Sequence, residues 1–333
     1  MAGDTLHSPW QNTPAPPPSA ASYVCPPEPS LPRVLTFDGY YTDSHYSIVD
    51  PAARKAYEAA TFVPDGFGHD VVHAVDDYRL TGSEAAGRCA VALLYGAADQ
   101  HAFTEARSSA RKSRQGLYVQ TWLCAGLALA YLKVEGTGLE TPAQRKKVAS
   151  WLADIAGEVR AFHNRLAWAG AGDSRNNHRY WAGLAVAAAG IVSDRRDLFD
   201  WGMRAGRDGL AQITEEGTLP REMDRASMAL HYHLFAAAPL VILAELGEPN
   251  GIDLYSEKSG ALQRLVMRAA SGLVDPSFFE VRTGVPQQRQ DPDNGATITW
   301  AAPFAQRFPN ALLSGLLAKA PRGFYIFGGI PPP

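Results

Sequence analysis

The stretch Met228-Ala229-Leu230-His231-Tyr232-His233-Leu234-Phe235-Ala236-Ala237-Ala238-Pro239-Leu240-Val241-Ile242-Leu243-Ala244 contains no charged side chain. Two histidines and a proline leave it short of the ~20 apolar residues a membrane span needs. A segment apolar all round reads instead as a helix at the centre of a large core. Gly247 and Pro249 close it, since glycine favours the left-handed exit and proline cannot continue the ladder. Its start is expected near Glu222.

Working outward, helical patterns follow one another with short breaks. Helices are expected at about 51–61, 84–98, 116–134, 142–167, 178–192, 195–213, 222–246, 259–274 and 309–319. Thr141 before Pro142 is an N-cap followed by proline at the first helical position, where its missing N–H is harmless. Ser193, with Asp197 four residues on, or Asp194 is the expected cap of the helix after 178–192. Short β-like runs are confined to 279–282 and 324–327 and read as peripheral. With no solenoid-period repeat, the pattern points to an all-α protein, a closed or nearly closed α/α barrel.

Residues 1–32 carry nine prolines and read as an extended or disordered arm pinned near Cys25, followed by one domain over 33–330. The piece at 33–48 is aromatic and aperiodic, with Phe37, Tyr40, Tyr41 and Tyr46, and reads as a loop that lines a sugar groove or packs on itself. With 46% hydrophobic and 20% charged residues the chain supports a soluble core. Net charge is −3 and no basic block occurs, which argues against nucleic acid. Seven lysines leave 24 arginines, a bias that reflects genome composition or carboxylate recognition. None of the three cysteines has zinc-motif spacing. One bridge with a free thiol, or three thiols, remain open, with thiols favoured. The start Met1-Ala2-Gly3-Asp4 shows no leader peptide, though an exported protein with its leader removed reads the same.

Two segments carry chemistry. Ser174-Arg175-Asn176-Asn177-His178-Arg179-Tyr180-Trp181 opens a helix. Asn176 suits a cap, while Asn177, His178 and Trp181 share a face that could offer an amide, an imidazole and a flat ring to a sugar acid. Leu219-Pro220-Arg221-Glu222-Met223-Asp224-Arg225 leads into the apolar helix. Arg225 and Tyr232 are two turns apart, so the guanidinium is expected to lower the phenol's pKa and make it a base. His231 and His233 point about 200° apart on a helix and cannot grip one metal ion. No calcium loop, nucleophile elbow or phosphate loop appears.

The residues Asn176-Asn177-His178 with Tyr180-Trp181 closely resemble the alginate lyases of polysaccharide lyase family 5. So do Asp194 to Trp201, Leu219-Pro220 with Glu222, Arg225, Ala229-Leu230 with Tyr232-His233, Asn250-Gly251 with Asp253-Leu254, and Gly260 to Leu265. The resemblance implies an incomplete α/α toroid with a tunnel-like cleft, a periplasmic or secreted monomer without cofactor or metal, and an anionic polysaccharide as partner. It implies β-elimination on polymannuronate, with polyglucuronate and hyaluronan as further candidates. Asn177, His178 and Arg225 would neutralise the uronate carboxylate, and Tyr232 would be base and acid. Trp181 would hold the sugar, with His231, Phe235, Tyr40, Tyr41 and Arg322 as further binding candidates. A Cys25–Cys89 disulfide is implied as well. Gly39 stands where relatives carry lysine before Tyr40, and Phe235 where they carry tyrosine, which broadens the expected choice of uronate. The rival readings are a non-catalytic uronate-binding protein and, more remotely, a metal-dependent hydrolase.

Overall fold

Four antiparallel helix pairs, laid side by side in two layers, give the molecule its shape. They are seen in a computed structural model that describes residues 5–11, 13, 16–105, 114–320 and 323–333. The pairs are α1 (Pro51–Thr81) with α2 (Glu84–Asp99), α3 (Arg114–Tyr131) with α4 (Pro142–Trp168), α5 (Asn177–Val192) with α6 (Arg196–Leu210), and, after the short α7 (Pro220–Met223), α8 (Ala229–Gly247) with α9 (Glu257–Val274). The first helix of each pair packs on the next pair's first helix, in the order α1, α3, α5, α8. Their partners form the outer layer, with α2 against α4 and α6 against α9. The result is an incomplete α/α toroid. Shorter helices α10 (Ser277–Thr283), α11 (Gly295–Ile298), α12 (Ala302–Arg307) and α13 (Ala311–Leu317) follow. Among the described residues pairing of the β type is limited to three isolated bridges.

Local signals set many of these boundaries. Thr141 and Gln144 form a reciprocal capping box at the start of α4, and Asp50 Oδ1 accepts from the Ala52 and Ala53 N–H groups at the start of α1. Four expectations need correction. The helix expected at 51–61 continues through Pro64 to Thr81, because Phe67, Val71, Val75 and Tyr78 bury one face and outweigh the bond proline removes. The helix expected from Glu222 is broken: α7 is followed by a 3₁₀ turn at Ala226–Met228, with Ala226 in the left-handed region at φ 49°. Residues 277–283 are helical, not β-like, with Phe279 buried edge-on against His233, and 325–327 form a 3₁₀ turn. Asp194 is itself left-handed and caps nothing; its carboxylate instead accepts the Leu6 N–H at 2.9 Å.

The apolar run sits where its composition requires. Residues 226–250 are long and apolar enough to cross a bilayer, so the shortfall expected from length does not exist. Burial decides the matter: 72% of its apolar window is covered by the fold. Helix α5 is buried almost throughout and lies so close to α6 that a Cβ on Gly183 would stand 2.8 Å from Ala205 Cβ, and one on Gly202 2.4 Å from Gly183 O. Those two glycines let the backbones meet.

The first helices of the four pairs run in the same direction, which gives the toroid two different ends. At their C-terminal ends lies the N-terminal arm. Its Leu6 and His7 bond Asp194 and Asn250, its Ser19 N–H donates to Gly82 O, and Cys25 is bridged to Cys89 on α2. The disulfide corrects the thiols favoured from spacing; Cys124 alone is free, and buried. At the opposite, N-terminal ends of α3, α5 and α8 gather the residues of both chemical segments.

Candidate active site

Asn176 caps α5, its Oδ1 accepting the His178 N–H at 3.0 Å. That leaves Asn177 as the first residue of the helix, fully buried, facing the turn that carries Glu222. Glu222 Oε1 accepts from the Asn177 backbone N–H at 2.8 Å, and the side-chain Nδ2 lies 3.1 Å from both carboxylate oxygens. Arg225 Nε stands 3.5 Å from Glu222 Oε2. The guanidinium is buried and lies over the Tyr232 ring, 4.6 Å from its centroid, with the Tyr46 ring 4.9 Å away. Arg225 is not on α8, so it meets Tyr232 because the turn at 226–228 folds it back, not through a shared helical face.

Tyr232 donates from Oη to Tyr41 Oη at 3.2 Å. Burial, then the neighbouring Tyr41, hold its pKa well above 10, and Arg225 opposes them without prevailing. The lowered phenol pKa expected from the sequence is therefore reversed in sign. His178 is half-buried, its ring stacked on Tyr118 at 3.7 Å with Trp122 beyond. Burial lowers its pKa to about 4 against the pull of Asp173, so the imidazole is neutral at pH 7. It can donate or accept a hydrogen bond but adds no charge. Asp173 is held below the ordinary carboxylate range although burial alone would raise it. The lowering comes from His178 first, then from Tyr118 Oη at 2.6 Å, Arg114 at 3.2 Å and Asn176.

A cavity of about 390 Å³ opens beside these groups, lined by Ser44, His45, Tyr46, Arg114, Gly172, Asp173, Asn176, Arg221, Asp224 and Arg225. Three arginines face two aspartates there, in a molecule of net charge −3. The segment before α1 forms its wall: His45 Nδ1 bonds Asp224 O at 2.8 Å, and Gln288 holds Ser47 O. A cavity of about 450 Å³ on the outer layer, between His101, Asp154 and Arg195, contains none of the candidate residues.

The other candidates divide. Tyr41 joins the site through Tyr232. Tyr40 stacks against Tyr41 and Tyr57 under the Arg54 guanidinium, at the edge of the same wall. His231 Nδ1 bonds Gln290, and its ring stacks parallel to Phe235 at 6.1 Å. Phe235 packs on Trp181 and Trp122. Trp181 does not face a sugar: it is completely buried, donates Nε1–H to Phe235 O and stacks on Phe327. Its place is the floor beneath the cleft. Arg322 lies outside the described residues. His233, in contrast to His231, turns into the core and accepts the Leu219 N–H at 2.9 Å. No group of three His, Cys, Asp or Glu side chains among the described residues could hold a metal ion.

Tyr118, Trp122 and Asp173 were not singled out from the sequence, and Glu222 was named only as part of the matching motif, without a role. Its signal was a carboxylate three residues before Arg225.

A two-layered helical toroid whose cleft carries a buried arginine, a neutral histidine and a tyrosine suits the polysaccharide lyase expected from the sequence. Comparison bears this out. The model of the family described as alginate lyase matches residues 35–279. A protein of Stenotrophomonas maltophilia named polysaccharide lyase is 36% identical over 270 residues, 81% of this chain and 79% of its own. An alginate lyase of Pseudomonas syringae pv. syringae is 28% identical over 82% of this chain and 72% of its own. Among solved structures, alginate lyase A1-III from Sphingomonas species A1 covers 98% of this chain, and this chain 86% of it, with a TM-score of 0.72 at 23% identity. A tetrasaccharide complex of a variant of the same lyase gives a TM-score of 0.75. The chain belongs to the alginate lyase family, and is a polysaccharide lyase.

Proposed function

We propose that this lyase cleaves 1,4-linked polyuronates, polymannuronate foremost, by β-elimination in the cleft at the N-terminal ends of α3, α5 and α8. The observation that carries the reading is Arg225, lying over the Tyr232 ring and lining the arginine-rich cavity. The C5 hydrogen of a uronate becomes removable when its carboxylate charge is screened, because negative charge then spreads into an enolate-like intermediate. Arg225 supplies the positive charge, and the free ends of the helix backbones add partial positive charge. Asn177 and neutral His178 contribute hydrogen bonds. Tyr232, in its phenolate form, takes the C5 proton, the C4–O bond breaks with its electron pair on oxygen, and the same proton passes from Oη to that oxygen, leaving a C4–C5 double bond and the phenolate restored.

In β-D-mannuronate and β-D-glucuronate the C5 hydrogen and the C4 oxygen lie on one side, so one tyrosine serves both steps. In guluronate they lie on opposite sides, and a base on the other face is required. Mannuronan and glucuronan are therefore favoured over guluronan, and the exposed Gly39 and the apolar Phe235 suit a broadened choice that extends to hyaluronan. The Cys25–Cys89 bridge suits a periplasmic or extracellular setting, where disulfides persist.

The test is a set of initial rates on polymannuronate, polyguluronate, polyglucuronate and hyaluronan, followed by ultraviolet absorbance with and without chelator. Absorbance should rise most on polymannuronate and be indifferent to chelator. Rapid action on polyguluronate with none on polymannuronate would overturn the preference, and binding without absorbance would favour a non-catalytic protein.

A further inference from the structure

Glu222 is a carboxylate with no access to solvent, placed directly behind the group that must attract a substrate carboxylate. Its charge repels the substrate, and a buried ion pair seldom stabilises a fold better than apolar packing does. Such an arrangement calls for a purpose other than stability. Among the described residues the polar partners of its carboxylate all belong to the site: the Asn177 N–H, the Asn177 Nδ2 and Arg225 Nε.

We infer that Glu222 is a positioning residue of the elimination reaction, acting through Asn177 and Arg225; this rests on the lyase reading above. The effect on Asn177 is to fix the amide. A carboxylate accepts only, so Nδ2 must face it and Oδ1 must face away, as it does, without a partner of its own. Nδ2 sits 3.1 Å from both oxygens, which suits one N–H shared between them. The second N–H is left unengaged by Glu222. The effect on Arg225 is to engage Nε, so that the two terminal nitrogens present their edge, one of the two geometries that grip a carboxylate in two places. Without this anchor the guanidinium is held, among the described residues, by the faces of Tyr46 and Tyr232.

A glutamine at 222 separates these duties. Its carbonyl oxygen can still accept from Asn177, but its amide nitrogen would meet Arg225 Nε donor against donor. Glu222→Gln should keep the Asn177 contacts at the start of α5 and lower the thermal midpoint, since a buried guanidinium loses its counter-charge, while kcat of the folded protein on polymannuronate falls roughly 10- to 100-fold, the cost of misaligning a transition-state contact. KM should change by less than about threefold, since the Arg225 grip that the variant loosens is tightest in the transition state. Burial favours the protonated form of Glu222. Log kcat of the parent should therefore fall more steeply on the acid side than that of the variant. In an Arg225→Lys background the same substitution should cost little, because the two residues act as one unit.

A folded, active-site-titrated Glu222→Gln with kcat within about twofold of an active parent would overturn the inference. So would a full additional loss in the Arg225→Lys background. If the glutamine variant does not accumulate as folded protein, Glu222→Asp decides: it keeps the charge but withdraws the oxygens by one methylene. A drop in kcat with KM held supports positioning, and parental kcat refutes it. A parent inactive on every uronate polymer sinks the lyase reading and takes this inference with it, whereas an active parent with an undiminished variant sinks the inference alone.

Discussion

His163, on α4, is fully buried with neither ring nitrogen hydrogen-bonded, and burial pushes its pKa down to about 3. Its replacement by phenylalanine gives a sharp test of how the interior behaves in acid. His178 and His233 are likewise lowered, each to about 4. All three are neutral in the fold, whereas in the unfolded chain a histidine titrates near ~6.5. Below that pH the unfolded state binds more protons, so the stability these sites contribute is complete above about pH 6.5 and is lost as pH falls toward the folded values. At pH 5 each lost contribution is about 2 kcal/mol, or roughly 6 kcal/mol for three. Glu135 works the other way. Raised to about 7 by burial and by Glu140, it is protonated in the fold first and returns about 2 kcal/mol between pH 7 and pH 5. From these groups the net loss is about 4 kcal/mol, a large part of the ~5–15 kcal/mol that holds a domain folded. In His163→Phe the histidine's share disappears, while every carboxylate effect is common to both proteins and cancels. Urea titrations of parent and variant at pH 7 and pH 5 should show the variant losing about 2 kcal/mol less between the two conditions. Because the ring nitrogens have no partners, the variant should be no less stable than the parent at pH 7. Equal losses of stability in the two proteins would refute the reasoning.

Other perturbations probe other layers. With Tyr232 held above 10 and His178 at about 4, kcat should climb with pH from 6 through 9 without a break near 6.5; a plateau beginning there would mean that a histidine is the base. Replacing Cys25 and Cys89 by serine opens a loop closed across 64 residues, for which the loop-entropy relation gives about 4 kcal/mol, read as a lowered urea midpoint with kcat little changed in what remains folded. Trp181→Ala should cost about 3–5 kcal/mol of stability by emptying the floor of the cleft. A variant of parental stability whose KM alone rises would return Trp181 to the sugar-binding role the sequence suggested.

What the sequence disclosed, and what it withheld, follows from the range of the interactions. Helices such as α2, α4 and α5 announce themselves because Ser83, Thr141 and Asn176 cap them with their own side chains, a matter of three or four neighbours. The continuation of α1 past Pro64 was hidden, since it depends on what Phe67 and Val71 pack against. The four central residues were legible through local motifs, yet their chemistry was not. The sign of the Tyr232 shift is set by burial and by Tyr41, 191 residues away in the chain. The neutrality of His178 depends on the Tyr118 face that α3 brings to it. Trp181 shares a helical face with His178 in the sequence, but the C-terminal segment delivers Phe327 against it and closes that face to a ligand.

The claim at the centre is that Tyr232 carries the proton transfers. The most direct measurement is turnover of polymannuronate by Tyr232→Phe, alongside calorimetric binding of a short mannuronate oligomer to the same protein. Removing the hydroxyl takes away Oη and its bond to Tyr41 but keeps the ring that Arg225 rests on. The account predicts that kcat falls by at least ~10²–10⁴-fold, the usual contribution of a positioned acid–base group, while the oligomer binds within a few-fold of the parent. Parental kcat in that variant would contradict it.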